Sequence, residues 1–94
     1  MYAIILLRYL VPLERIAETT DRHRAYLREL HAAKKLIASG PLVPRTGGAF
    51  LVRVADEAEL AALLAGDPFG QEQLVEYTIH HWAPNIGVEG LDAL

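Results

Sequence analysis

The chain opens on Tyr2-Ala3-Ile4-Ile5-Leu6-Leu7-Arg8-Tyr9-Leu10, a nearly unbroken apolar run rich in strand formers. No alternation marks a solvent side, so the run predicts an interior strand covered on both faces. Pro12 lacks an N–H to give a neighbouring strand; it ends ladder pairing and begins a helical region. Whatever else the chain does, it must supply cover for this strand.

From Leu13 onward the apolar spacing turns helical. Leu13, Ile16, Thr20, His23, Leu27, Leu30 and Ile37 recur at steps of three, four or their sum and share one face. Arg22, Arg24, Arg28, Glu29, Lys34 and Lys35 lie mostly off it. Thr19-Thr20-Asp21 groups three poor helix formers with capping side chains, so an interruption is expected there. A main helix should then run from about Asp21 to Ala38, with Lys34 and Lys35 at its negative end and Gly40-Pro41 as the stop.

Residues 41–54 read as a hairpin: Leu42-Val43 as a short edge strand beside Pro44, Gly47-Gly48 as the turn, Ala49 to Val54 as the second strand. Asp56 with Glu59 resembles a capping box opening a second helix, whose stripe is Leu60, Leu63 and Leu64 and whose end is Gly66. Asp67-Pro68-Phe69 opens one further turn, and Leu74 to Trp82 is the last strand, closed by Pro84. Residues 85–94 show no clear period and read as an arm or a loose tail, so the domain proper is 2–84.

The order is βαββαβ, an α+β, ferredoxin-like plan: a four-stranded antiparallel sheet with two helices on one face. The other sheet face has nothing in the chain to cover it. A domain of this size buries only about 60–65% of its unfolded surface, yet 52% of the residues are hydrophobic. The surplus predicts a homodimer through the open face, two sheets closing into a dimeric α/β barrel. With no cysteine, disulfides and thiolate chemistry are excluded. A net charge of −3 argues against nucleic acid as a partner. Tyr2–Leu7 is too short for a secretory signal and runs into Arg8, and no segment approaches the ~20 apolar residues of a membrane span. A cytoplasmic address without a membrane partner is the resulting expectation.

Among groups able to do chemistry, His23 is the only titratable residue on the stripe of the first helix. Such a histidine is by default a satisfied core residue. If the main helix starts near Thr20, however, His23 sits in its first turn, where the positive dipole end favours a neutral imidazole able to act as general base. Asp67, before Pro68, is by default a helix cap; the βαββαβ plan can bring it to the same sheet end as His23, where it would orient the imidazole. His80 and His81 are neighbours in a strand and point to opposite faces, one to the helices and one to the dimer interface, so they cannot share a metal simply. No metal ion or cofactor is expected. Arg8 and Arg53 are strand arginines whose stems pack; one of them, Arg8, could instead hold an anionic substrate group. Tyr2, Tyr9, Tyr26 and Tyr77 serve packing or the interface, with a hydroxyl available to assist proton transfer.

Read in order, several fragments resemble the YCII-related family, the small YciI-like and DGPF-type domains, over residues 2 to 84. They are the apolar first strand, His23-Arg24-Ala25-Tyr26-Leu27, Leu30-His31-Ala32-Ala33, Leu36-Ile37-Ala38-Ser39-Gly40-Pro41-Leu42, Gly47-Gly48-Ala49-Phe50-Leu51-Val52, Asp67-Pro68-Phe69 and Leu74-Val75-Glu76. The resemblance implies a ferredoxin-like dimer related in architecture to muconolactone isomerase and other dimeric α/β barrels. It also implies a His–Asp active-site pair at His23 and Asp67, with Phe69 beside the substrate. One member type removes chloride from a chlorinated hydroxyquinol. The chain departs from the pattern at Gly70-Gln71-Glu72-Gln73, where small residues and a glycine are usual. It departs again at Lys34-Lys35, which replaces a glycine-containing turn and implies a longer helix.

Three functions fit these residues. The first is a cofactor-independent lyase or isomerase acting on a small metabolite, with His23 moving a proton and Asp67 orienting it. The second is a non-catalytic dimer that binds a small ligand or supports a partner, and the third a cofactor-free monooxygenase on the same barrel plan.

Overall fold

The computed structural model describes all residues from Met1 to Leu94. Its elements are β1 (Tyr2–Tyr9), α1 (Leu13–Ala32), β2 (Leu36–Pro41), β3 (Gly47–Arg53), α2 (Glu57–Ala65), α3 (Pro68–Gln71), β4 (Val75–Trp82) and α4 (Val88–Asp92). The strands form one antiparallel sheet in the order β2-β3-β1-β4. The apolar opening strand is therefore interior, as its composition requires.

Strand alternation sorts the sheet into two faces. Ala3, Ile5 and Leu7 of β1 pair with Val52, Phe50 and Gly48 of β3 on the helix side, and all are buried. They join Ile16, Leu27 and Leu30 of α1 and Leu60 and Leu63 of α2 in the core. Ile4, Leu6, Ala49, Leu51 and Trp82 alternate onto the opposite face, where Leu6 is 37% and Trp82 41% exposed. The expected cover on both faces of β1 thus holds on one side only within a single chain.

The first helix differs from expectation at both ends. It starts at Leu13, with Pro12 in the N-cap position, and runs without interruption through Thr19-Thr20-Asp21. The threonines do not break it because their hydroxyls are satisfied in place. Thr20 Oγ1 donates to the Ile16 carbonyl at 2.8 Å, and the buried Thr19 Oγ1 lies 3.1 Å from Arg15 and 3.2 Å from Glu72. Leu13 faces solvent, and Thr19 rather than Thr20 belongs to the buried stripe. The helix stops at Ala32, not Ala38. Lys34 takes a left-handed conformation (φ 62°), its N–H meets the His31 carbonyl at 3.0 Å, and the Lys35 N–H meets that of Leu30 at 2.9 Å. These two bonds make a Schellman end, normally built on glycine. Lys34 keeps the short helix that a glycine would give, and Ile37 is released into β2.

That early stop moves the hairpin. Leu36–Pro41 is the edge strand, residues 42–46 are the loop, and Gly47-Gly48 lies inside β3 rather than in the turn. Gly47 is required there: a Cβ on it would stand 1.7 Å from the Leu7 carbonyl oxygen. The second helix follows the sequence, with the Asp56 side chain accepting from the Glu59 N–H at 2.9 Å and Gly66 at the C-cap. The C-terminal residues are not loose. They form α4, where Asp92 accepts a 2.5 Å hydrogen bond from the Tyr2 hydroxyl and Arg53 donates to the carbonyls of Leu91 and Leu94. No helix is long and apolar enough to cross a membrane.

Candidate active site

Buried polar and charged residues are few: Thr19, His23 and Asp67. Two of these meet. His23 Nδ1 lies 2.6 Å from Asp67 Oδ1, across 44 residues of chain. His23 is mid-helix, ten residues past Leu13, so the expected first-turn dipole effect does not apply. Its neighbours, not a helix end, define its chemistry.

Asp67 is fully buried and accepts from three directions. The Phe69 N–H reaches Oδ1 at 3.0 Å, His23 Nδ1 reaches the same oxygen, and the Tyr77 hydroxyl donates to Oδ2 at 2.6 Å. With the Phe69 N–H on Oδ1 and the Tyr77 hydroxyl on Oδ2, both carboxylate oxygens act as acceptors. They also decide the imidazole tautomer: Nδ1 carries the proton, and Nε2 presents its lone pair. Nε2 makes no hydrogen bond, and no buried side-chain nitrogen or oxygen lacks a partner, so Nε2 is open to the adjoining cavity.

The Asp67-Pro68-Phe69 turn builds most of this geometry locally. Pro68 starts α3, Asp67 caps it by accepting from Phe69, and the Phe69 ring then lies flat on His23. The two rings stack with centroids 3.8 Å apart and planes 10° off parallel, while Phe50 approaches at 5.8 Å. The imidazole thus lies flat against the Phe69 ring with Phe50 nearby, and its Nε2 edge is free. Like α1, α3 ends on a left-handed residue, Gln73 (φ 58°), with Leu74 N–H bonded to the Phe69 carbonyl at 2.9 Å.

Tyr77 enters from β4, on the helix side of the sheet opposite Leu7. Burial first, then the bond to Asp67 and the charge of Asp67, hold its phenol far above the ordinary tyrosine range, so it remains a donor. Gly70 makes room for it: a Cβ there would sit 2.6 Å from the Tyr77 hydroxyl. Tyr26 donates to the Leu63 carbonyl at 2.6 Å, and burial foremost, with the charge of Asp67, raises its pKa also.

The Gly70-Gln71-Glu72-Gln73 departure has a role. Glu72 accepts from Arg15 at 2.8 Å, from Thr19 and from Arg22, tying the end of α3 to α1. These partners, Arg15 first, hold the Glu72 carboxyl below its usual range. The segment that carries Asp67 is thereby pinned to the helix that carries His23.

The cavity in front of Nε2 has a volume of about 180 Å³. Its apolar wall is Leu7, Tyr9, Leu27, Phe50 and Phe69; its polar rim holds Thr20, Arg24, Ser39 and Arg45. Three of the four residues expected at the site, His23, Asp67 and Phe69, therefore come together here. Arg8 does not: it lies on the open sheet face, bonded to Glu76 at 3.2 Å. Cations of the cavity come instead from α1 and the loop 42–46. Arg45 carries no sequence signal beyond being a charge in a loop, and Tyr77 was legible only as a tyrosine able to assist. His80 and His81 do part to opposite faces, His81 Nε2 pairing with Glu57 of α2.

A family model described as the YCII-related domain matches residues 1–83. No curated protein matches the chain. Among solved structures, the fold is similar to 5-chloro-2-hydroxyhydroquinone dehydrochlorinase from Burkholderia phenoliruptrix AC1100, determined in complex with 2,5-dihydroxybenzoquinone. The TM-score is 0.79 at 21% identity, over 92% of this chain and 97% of that one. At that identity the likeness is one of fold.

Proposed function

The chain belongs to the YCII-related domain family, and from that premise we propose that it is a cofactor-independent lyase or isomerase that moves a proton on a small, ring-sized metabolite. The observation that carries the reading is the orientation of His23: Nδ1 bonded to a buried carboxylate, Nε2 free at a cavity. An engineered cavity of about 150 Å³ takes up a benzene ring, so about 180 Å³ suits one ring with few substituents.

In the proposed reaction Nε2 takes a proton from an acidic C–H or O–H of the substrate. The imidazolium that forms is stabilised by Asp67, which keeps the Nδ1 proton in place and does not itself become protonated. The bonding pair left on the substrate either expels a leaving anion, Nε2–H then giving its proton to solvent or to that anion, or shifts a double bond, Nε2–H then returning its proton at a new atom. Positioned acid–base catalysis of this kind contributes roughly 10²–10⁴-fold; the rest must come from holding the substrate against Nε2. The dehydrochlorinase of similar fold acts on a ring with hydroxyl groups, which supports the choice of first substrates to try. The apolar open face, with Leu6 and Trp82 partly exposed, further supports a second copy of the chain as its cover.

The test is solvent-deuterium incorporation, or release of the leaving group, across a panel of hydroxyquinols, lactones and cyclic enones. Exchange by the native chain should fall at least a hundredfold in His23→Gln and strongly in Asp67→Asn. Turnover that survives His23→Gln, or a native chain inert to the whole panel while His23→Gln only lowers the melting temperature, would overturn the proposal in favour of a structural or ligand-binding pair.

A further inference from the structure

The chain carries nine lysines and arginines. Arg8, Arg15, Arg22, Lys35 and Arg53 each make an ion pair or a side-chain hydrogen bond. Arg24, Arg28, Lys34 and Arg45 make none, and two of them, Arg24 and Arg45, line the cavity in front of His23. No aspartate or glutamate is among the lining residues. On a chain of net charge −3 this is a local reversal of sign. Arg24 is on α1 directly after His23, and Arg45 is on the loop between β2 and β3. They come from separate elements and converge on one opening.

Unpaired guanidinium groups at the mouth of a small, half-apolar cavity are a recognition device for a planar oxyanion. Ser39, whose hydroxyl has no partner within the chain, adds a neutral donor at the same rim. A volume of about 180 Å³ takes one ring, and the opening leaves an anion attached to that ring at the rim. We propose that the substrate is a small ring-bearing carboxylate whose carboxylate is held at the rim by Arg24 and Arg45 while its ring enters toward Nε2 of His23. The proposal rests on the functional reading above and narrows it: the proton moved belongs to an anion, anchored at the end remote from the imidazole. Such an anchor fixes which ring atom faces the base.

The probes are benzoate, its neutral isostere benzamide, and phenylphosphonate, titrated into the intact chain by calorimetry or by NMR of the His23 ring. Benzoate should bind at least tenfold more tightly than benzamide. Arg24→Gln and Arg45→Gln should each weaken benzoate roughly fivefold to tenfold, as partly solvated charge contacts do, and leave benzamide unchanged. Arg28→Gln, an equally unpaired cation outside the cavity, should change nothing. Both substitutions are at exposed positions, so folding is not at stake. Benzamide binding as well as benzoate, or Arg28→Gln acting like Arg45→Gln, would refute the anchor. Arg45-dependent binding of phenylphosphonate above that of benzoate would refute the carboxylate assignment and move the site to phosphate-type anions. None of these readings depends on turnover, so the anchor and the proton transfer fail independently.

Discussion

Replacing Gly70 with alanine separates helix propensity from the architecture of the site. Gly70 lies within α3 and has no left-handed φ, so alanine should stabilise the chain by about 0.4–1 kcal/mol on backbone grounds alone. The structure predicts the opposite sign. The new Cβ would stand 2.6 Å from the Tyr77 hydroxyl and 2.9 Å from Cε2, so the phenol must swing away. Swinging breaks its 2.6 Å bond to Oδ2 of a fully buried Asp67. A lost hydrogen bond to a charged group costs about 1.5–3 kcal/mol. Net of the backbone gain, Gly70→Ala should cost about 0.5–2.6 kcal/mol, a fall in melting temperature of roughly 2–20 °C for a domain of this size. Urea melts of Gly70→Ala, Tyr77→Phe and the double variant check the route. With the hydroxyl gone in Tyr77→Phe, Gly70→Ala should cost much less than in the native background. A stabilised Gly70→Ala, or additive effects in the double variant, refutes the idea that this glycine exists to admit the tyrosine.

Four further outcomes follow from the same contacts. Tyr77 ionises in the unfolded chain near pH 10.0 but far higher when folded; its contribution is complete below that pH and declines above it, so the stability gap between the native chain and Tyr77→Phe should narrow in alkali. Glu72 titrates in the opposite sense: its folded pKa lies below the ordinary 4.5, so its clamp is intact above that pH and is lost as pH falls further. The gap between the native chain and Glu72→Gln should accordingly close in acid melts. Lys34→Gly should raise stability by about 1 kcal/mol, read from urea midpoints, because the left-handed position then carries no side chain. Sedimentation should show a dimer, and Leu6→Lys on the open face should dissociate it without unfolding the chain.

The topology was readable because its signals are local. An apolar run that could only be interior, Asp56 three residues before Glu59, and Pro68 behind a capping aspartate each state their own structure. His23 stood out because it breaks the apolar pattern of its stripe, whereas Asp67 read locally as a helix cap and joined the site through the topology and the family resemblance. What sequence reading missed was decided by contacts across the chain. Nothing near Lys34 announces a helix end, since Ala32-Ala33-Lys34-Lys35 is good helical sequence; pairing of Leu36–Pro41 with β3 outweighs that preference. Thr19 and Thr20 looked like a break because the partners that satisfy them, a carbonyl one turn back and a glutamate 53 residues on, cannot be seen from the pair itself. The sequence points to Arg8 as the substrate cation and passes over Arg45, because an isolated cation does not show which way it faces. The strand's alternation turns one away from the cavity, and the loop brings the other to it.

The imidazole is oriented by one helix and one three-residue turn, whereas Ser39 and Arg45 on the rim belong to β2 and the loop after it. The rim is thus shared: Thr20 and Arg24 come from the helix that carries His23, while Ser39 and Arg45 come from a stretch of chain that makes no hydrogen bond to the His23–Asp67 pair. Redesign of residues 42–46 should retune which compounds are accepted while leaving the acid–base couple as it stands. Loop 42–46 is therefore the part of the rim that can be exchanged without disturbing the His23–Asp67 bond.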